Sequence, residues 1–360
     1  MNTMDNHCER QSGFDTFCYY HSLSPNQKIM VLGQLRKLPG FRTIKDDYLN
    51  ESYRYGSDYF ASDGVKIYVF RERGSVWGLL VVVHPTLVLG DHDRSALYQA
   101  TKSSYKKIVK IVDKMLGKIN VPCSLDNMKL YRLDVTANLI FDDDDVVDGY
   151  IRILKKSLIL PHYRLDWFRE NEQKAKDCNL ANRHSHKQYC KSAAFFVYDK
   201  TAQLRMTDHF PEALLGKKVL RLEAQLRRKT LKKWVSGKKP GSNWEIIRDI
   251  YKNRAKIINW YLGRMQPAGR VIRYADAVEL ISGTKIKSKT RDRMLYLLRK
   301  TSDKYSLTAA LEALRKKFDL SKSQCKTILN KFKNLGISPI TLRNDSDFEE
   351  IPSLSQIIGR

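Results

Sequence analysis

The residues with the most chemical content fall in three short segments. They are LYRLDVTANLIF (Leu130 to Phe141), SAAFFVYDKTAQL (Ser192 to Leu204) and VLRLEAQLRRK (Val219 to Lys229). Each is rich in branched and aromatic residues that alternate with polar ones, the pattern of a β-strand. Side chains on a strand alternate between faces. Arg132, Asp134 and Thr136 therefore share one face, opposite Tyr131, Leu133 and Val135. Arg221, Glu223 and Gln225 share a face, and so do Phe196, Tyr198 and Lys200. If the strands are neighbours, one sheet face gathers two carboxylates, a tyrosine, a lysine and two arginines. That set suits metal-dependent attack of a tyrosine on a phosphodiester. Taken singly, each segment reads more simply as cross-strand ion pairs on a solvated sheet. The case for a site rests on their coming together in a basic chain.

The elements that would position this set are read from the flanking pattern. A short helix is expected around Pro25 to Lys37, in an N-terminal stretch (1–60) that otherwise carries little pattern. GVKIYVF from Gly64 and SVWGLLVVVHPTLVLG from Ser75 read as a hairpin turning at Arg73-Gly74. Asp93 to Leu116 reads as an amphipathic helix with lysines on its outer face. Asp142 to Asp145 reads as the first turn of a helix running to about Leu158, because acidic residues complement the helix dipole there. A metal site is the weaker reading of that run. Phe168 to Lys191 reads as a loop, and His184 and His186 within it as surface histidines. The order of elements predicts an α+β fold: an antiparallel sheet with helices on one face, followed by a helical C-terminal domain. The boundaries suggested are a catalytic domain over 61–236, a linker SGKKPGSN around Pro240, a helical domain over 243–345 and a tail over 346–360.

Charge narrows the partners. Lys and Arg number 65 against 39 Asp and Glu, a formal net charge of +26 over 360 residues. A surplus of this size points to a polyanion, most commonly nucleic acid. Met1 to Ser24 lacks the apolar core of a signal peptide. The longest apolar run, Trp77 to Val83, is far short of the roughly 20 residues that span a bilayer. No membrane partner is expected, and the reading is cytoplasmic. The six cysteines have no paired spacing and read as reduced thiols.

Basic residues crowd between Lys217 and Lys256. Arg227, Arg228, Lys229, Lys232, Lys233, Lys238 and Lys239 are candidates for phosphate contact, together with Arg132 and Arg221. The interleaved Trp234, Trp244 and Trp260 could stack on bases but read better as core. No G-x-x-x-x-G-K-[ST] segment occurs, so no nucleotide-driven motor is encoded. Near the C-terminus, Ser306 to Phe318 and LSKSQCKTILNKFKNLGI read as two helices joined at Asp319-Leu320. The second would expose Lys322, Gln324, Lys326 and Asn330. The pair fits either a helix-turn-helix with a basic recognition helix or a plain hairpin.

The order of an R-x-D-x-T strand, a Tyr-x-Lys strand and an R-x-E strand followed by basic residues resembles the gene II replication initiators of filamentous phages. HPTLVLGDH (His84 to His92) with a helix after it is similar to the same family, and the resemblance covers about Gly64 to Trp234. It implies a rolling-circle initiator that nicks one strand of a double-stranded phage origin and leaves a 5′-phosphotyrosine link. The free 3′-OH primes synthesis, and the circle is later resealed. It implies Tyr198 as nucleophile beside Lys200, with Tyr189 as second candidate. It also implies Asp134 and Glu223 as ligands of Mg2+ or Mn2+, and a host helicase and polymerase as partners. The fold implied is that of a nicking enzyme. A tyrosine with a pKa of roughly 10 needs such help to attack at neutral pH. The alternative function is a non-catalytic DNA-binding regulator that uses the C-terminal helices.

Overall fold

A computed structural model describes residues 8–46, 52–71, 76–165, 184–206, 210–235, 241–266, 269–303 and 306–359. The strands are β1 (Cys8–Leu23), β2 (Phe41–Asp46), β3 (Ser52–Ser57), β4 (Val65–Arg71), β5 (Trp77–Val83), β6 (Lys129–Phe141), β7 (Arg164–Leu165), β8 (Ser185–Cys190), β9 (Ala193–Asp199), β10 (Lys218–Arg227), β11 (Val271–Ile272) and β12 (Glu350–Ile351). The first ten form one sheet in the order β2-β3-β4-β5-β1-β6-β10-β9-β8-β7, and every ladder in it is antiparallel. The helices are α1 (Pro25–Lys37), α2 (Pro85–Val88), α3 (Lys102–Lys118), α4 (Asp144–Lys155), α5 (Lys200–Arg205), α6 (Arg228–Leu231), α7 (Asn243–Lys252), α8 (Arg254–Met265), α9 (Tyr274–Ser282), α10 (Ser288–Ser302), α11 (Leu307–Phe318), α12 (Lys322–Asn334) and α13 (Leu354–Gly359). The fold is α+β with a large antiparallel sheet.

The segments end where local chemistry ends them. Ser24 opens α1 with a capping box to Gln27 and Pro25 in the first turn. Asp143 caps α4 by accepting from the Asp145 backbone N–H. Ser321 and Gln324 form a capping box on α12, and Asp319 takes the left-handed turn (φ 46°) that closes α11.

One sheet face is apolar. Leu133, Val135, Ala137 and Leu139 of β6 lie beside Leu220, Leu222, Ala224 and Leu226 of β10 and Phe195 and Val197 of β9. Helices cover this face, with Ile108, Val112 and Leu116 from α3, Val147, Ile151 and Leu154 from α4, and Ile257, Tyr261 and Leu262 from α8. Tyr261 stacks on Phe195 at 4.8 Å. Burial of each large aliphatic side chain here stabilises the fold by about 1.5–3 kcal/mol. The polar residues of β6, β10 and β9 that matter for chemistry project to the other face.

Several expectations need correction. The N-terminal stretch is not a separate segment: β1 lies between β5 and β6, in the middle of the sheet. The strand from Trp77 ends at Val83, because Pro85 begins a helical turn. The lysine-rich helix begins at Lys102, not Asp93, where Thr101 caps it. Residues 185–190 form β8 rather than a loop, and His186 is buried on the helix-covered face beside Gln188. Helices α7 and α8 share the sheet's core, so position 243 does not begin a separate hydrophobic unit. Residues 347–359 fold back onto the molecule instead of forming a loose tail: β12 pairs with β11, and α13 packs against α8. The turn at Arg73-Gly74 and the linker residues 236–240 lie outside the described residues.

Candidate active site on the polar face of the sheet

Strand register brings the expected residues together. Arg221 pairs with Asn138 on β6 and with Tyr198 on β9. Glu223 pairs with Thr136 and Phe196, and Gln225 pairs with Asp134 and Ala194. Tyr198, Arg221, Glu223 and Asp134 therefore share one face, with Asp134 and Glu223 on adjacent strands. Their arrangement follows from simple alternation along the β6–β10 and β10–β9 ladders, which run without a register break.

Tyr198 is half-buried, and its hydroxyl donates to Glu223 Oε2 at 3.4 Å. Burial, then the Glu223 charge, pushes the phenol well above its usual pKa, while Arg221 pulls it down. Glu223 Oε1 accepts from Gln225 Nε2 at 3.2 Å. Asp134 is buried, and its Oδ2 accepts from Arg132 Nη2 at 3.0 Å. Its Oδ1 is also buried and has no hydrogen-bond partner. Desolvation raises both carboxyls, Arg132 lowers both, and the Glu223 charge raises Asp134 further.

A third carboxylate joins them that no strand pattern announced. The register of β1 against β6 shifts between Phe14 and Phe17, so Asp15 and Thr16 both stand opposite Asp134 in a β-bulge. The bulge delivers Asp15 to the polar face. Asp15 Oδ1 accepts from Arg221 Nη1 at 2.8 Å. Arg221 also donates from Nε to Asn138 Oδ1 at 2.8 Å and from Nη2 to the Ser95 carbonyl at 2.7 Å. It has no exposed surface. Arg221 is thus an internal strut beside Tyr198 rather than a surface phosphate contact. Its buried charge is compatible with the fold because all three nitrogens are hydrogen-bonded. His84, at the end of β5, lies 4.0 Å from Asp15 Oδ2 and 3.2 Å from Thr16 Oγ1. Burial lowers its pKa against the pull of Asp15.

Lys200 does not share the strand face of Tyr198. The strand ends at Asp199, which caps α5, and Lys200 is the first residue of that helix. Its ammonium still feels Arg221, Asp15 and Glu223, and burial lowers its pKa to about 8. Nζ donates to Gln203 Oε1 at 2.9 Å. Tyr189 sits on the same face two strands out from β10, with the Lys187 ammonium 5.5 Å from its ring and 4.9 Å from that of Phe196.

The remaining basic residues are distributed over the surface. Arg227 is half-buried and donates to the Lys191 carbonyl at 3.2 Å. Arg228, Lys229, Lys232 and Lys233 are exposed on and after α6. Lys238 and Lys239 lie outside the described residues. Trp234 packs edge-on to Trp260, and Trp244 packs near Tyr105. Lys322, Gln324, Lys326 and Asn330 lie along α12, and all four are exposed.

Among the described residues, no group of three or more His, Cys, Asp and Glu side chains is arranged to hold a metal ion. Asp134 and Glu223 share a face on adjacent strands, where two carboxylates would leave a Mg2+ to take its other ligands from substrate and water. The unpartnered Asp134 Oδ1 and the raised carboxyl pKa values are what such a cation would relieve. No helix among the described residues is long and apolar enough to cross a membrane. No protein-family model matches the chain, and it has no significant match among curated proteins.

Proposed function

We propose that the chain is a rolling-circle replication initiator of filamentous-phage type, which nicks one strand of a double-stranded origin through Tyr198. The observation that carries this reading is the Tyr198 hydroxyl bonded to Glu223, between the buried Arg221 and the carboxylate pair. Glu223 accepts the phenolic hydrogen bond through Oε2, which places that oxygen to take the phenolic proton. The phenolic oxygen then attacks phosphorus, the P–O3′ bond breaks, and the leaving 3′ oxygen takes up a proton. The products are a 5′-phosphotyrosine and a 3′-OH. The bond count is conserved, so the circle can be resealed by the reverse attack without ATP. Arg221 stabilises negative charge on the phenolic oxygen, and Lys200 adds positive charge at the edge of the site. Asp134, with Glu223, would hold Mg2+ or Mn2+, which when bound polarises the scissile phosphate. Duplex separation and synthesis would fall to a host helicase and polymerase, in the cytoplasm of a bacterial host.

Incubation with a supercoiled filamentous-phage origin and Mg2+ or Mn2+, followed by a denaturing gel, tests the proposal. Protein-linked nicked DNA is the expected product. Intact supercoil, or nicks with free 5′ phosphates, would refute it. A second reading, a non-catalytic regulator, is favoured only by the exposed basic face of α12 and predicts binding with no covalent product.

A further inference from the structure

Away from the carboxylates, the same sheet face carries an aromatic patch. Cys18 and Tyr20 of β1, Leu80 and Val82 of β5, and Tyr68 and Phe70 of β4 form a small cluster of their own, apart from the main core. The backbone is adapted to these rings. A Cβ on Gly78 would meet the Tyr20 ring at 2.6 Å and the Phe70 ring at 3.0 Å. A Cβ on Gly56 would meet the Tyr68 ring at 2.5 Å. The rings therefore lie over the glycines of neighbouring strands.

Filling glycine gaps accounts for Tyr20, Phe70 and Tyr68, but not for Tyr131. Alternation alone would put Tyr131 on the apolar face with Leu133. Instead the ladder slips, pairing Cys18 with Arg132 and Tyr19 with Leu130 and leaving Tyr131 as the extra residue. The bulge turns Tyr131 outward, 36% exposed, with its ring 6.3 Å from that of Tyr20. Tyr20 lies 6.2 Å from Phe70, so three rings run in a row across β6, β1 and β4.

Guanidiniums flank the row. Arg54 pairs with Phe70 across β3 and β4, Arg132 with Cys18 across β6 and β1, and Arg227 with Arg132 across β10 and β6. Arg132 Nε has no hydrogen-bond partner, and its side chain is 27% exposed. Aromatic faces flanked by guanidiniums match the bases and phosphates of an unpaired strand. A duplex presents its bases stacked inside and offers nothing to these rings. The strand register also joins the patch to Tyr198. Six residues of β6 separate Arg132 from Asn138, about 20 Å at ~3.4 Å per residue.

We propose that Tyr131 and Tyr20, backed by Phe70 and flanked by Arg132, Arg227 and Arg54, form a base-stacking platform for single-stranded DNA on the sheet face that carries Tyr198. The inference rests on the strand-transfer reading only for where the DNA leads. Binding itself is independent of it.

The test uses the full chain, EDTA to prevent cleavage, and fluorescein-labelled oligo-dT of about 20 nucleotides beside a duplex of about 20 base pairs, longer than one stacking platform needs. Tyr131→Ala should weaken oligo-dT binding roughly tenfold, with duplex affinity little changed, while Tyr131→Phe should bind like the parent. Tyr131 is partly exposed, so a thermal melt matching the parent will establish that the fold survives. Unchanged oligo-dT affinity in Tyr131→Ala, an equal loss for duplex, or tighter binding of oligo-U RNA than oligo-dT would each overturn the proposal. Tyr198→Phe, run in parallel, should keep oligo-dT binding, so loss of nicking and loss of the platform are read separately.

Discussion

Arg221 and Asp15 meet at 2.8 Å across 206 positions of sequence. That ion pair ties the bulge of β1 to β10 and holds a guanidinium beside Tyr198. Asp15→Asn should lower stability by about 2 kcal/mol, the scale of a hydrogen bond to a charged group. The loss should shrink by more than about 1 kcal/mol in an Arg221→Met background, because neighbouring residues couple. Urea melts of the four-protein cycle check this. Strictly additive losses would show that the pair carries no coupling.

The same ion pair shows what could and could not be read from the chain. Arg132, Asp134, Thr136 and Asn138 alternate without a break, and β10 follows the same rule, so their shared face was legible. Asp15 was not, since its strand opens with the polar run CERQSG and its alternation is broken by a bulge. A bulge is a tertiary choice with little local signature, and a second one reversed the face of Tyr131. Asn138 could have been found from the continued alternation. The burial of Arg221 depends on the loop carrying Ser95, which no strand pattern reports. The helices α11 and α12 were legible, the second from its cap at Ser321. That α8 covers the sheet was not, because periodicity fixes a helix's apolar face but not its partner.

Lys200 sets an alkaline limit. Its pKa in the folded chain is about 8, below the usual lysine value. If its charge assists attack, the nicking rate should fall as pH rises through about 8. Lys200→Arg, which stays charged, should remove that limb. Stability runs the other way. Between about pH 8 and the ordinary lysine range the unfolded chain holds a proton that the folded chain lacks, so stability attributable to Lys200 rises with pH. Rate profiles and urea melts across roughly pH 7–10 separate the two.

The carboxylate pair predicts a metal effect on folding. Asp134 and Glu223 are held above their usual pKa, so their ionisation at neutral pH opposes folding. A bound divalent cation offsets that cost. Millimolar Mn2+ should raise the melting temperature of the parent at neutral pH and leave Asp134→Asn unmoved. An equal shift in both proteins would place the ion elsewhere.

Surface charge predicts a separable binding term. Gln at Lys232, Lys233, Lys238 and Lys239 should weaken binding to all DNA sequences alike. The slope of log affinity against log salt should flatten by about 0.9 for each phosphate no longer neutralised. Replacing Lys322, Gln324 and Lys326 should instead reduce preference for the origin, if α12 reads bases. Truncation after Ser302 that leaves origin preference intact would make those helices structural.

The covalent bond itself is the most direct measurement. Parent protein, Tyr198→Phe and Tyr189→Phe are each incubated with supercoiled origin DNA and Mn2+, denatured and digested, and the DNA-linked peptide is identified by mass. The account predicts an adduct on Tyr198 in the parent and in Tyr189→Phe, and none in Tyr198→Phe. An adduct that survives in Tyr198→Phe would contradict it.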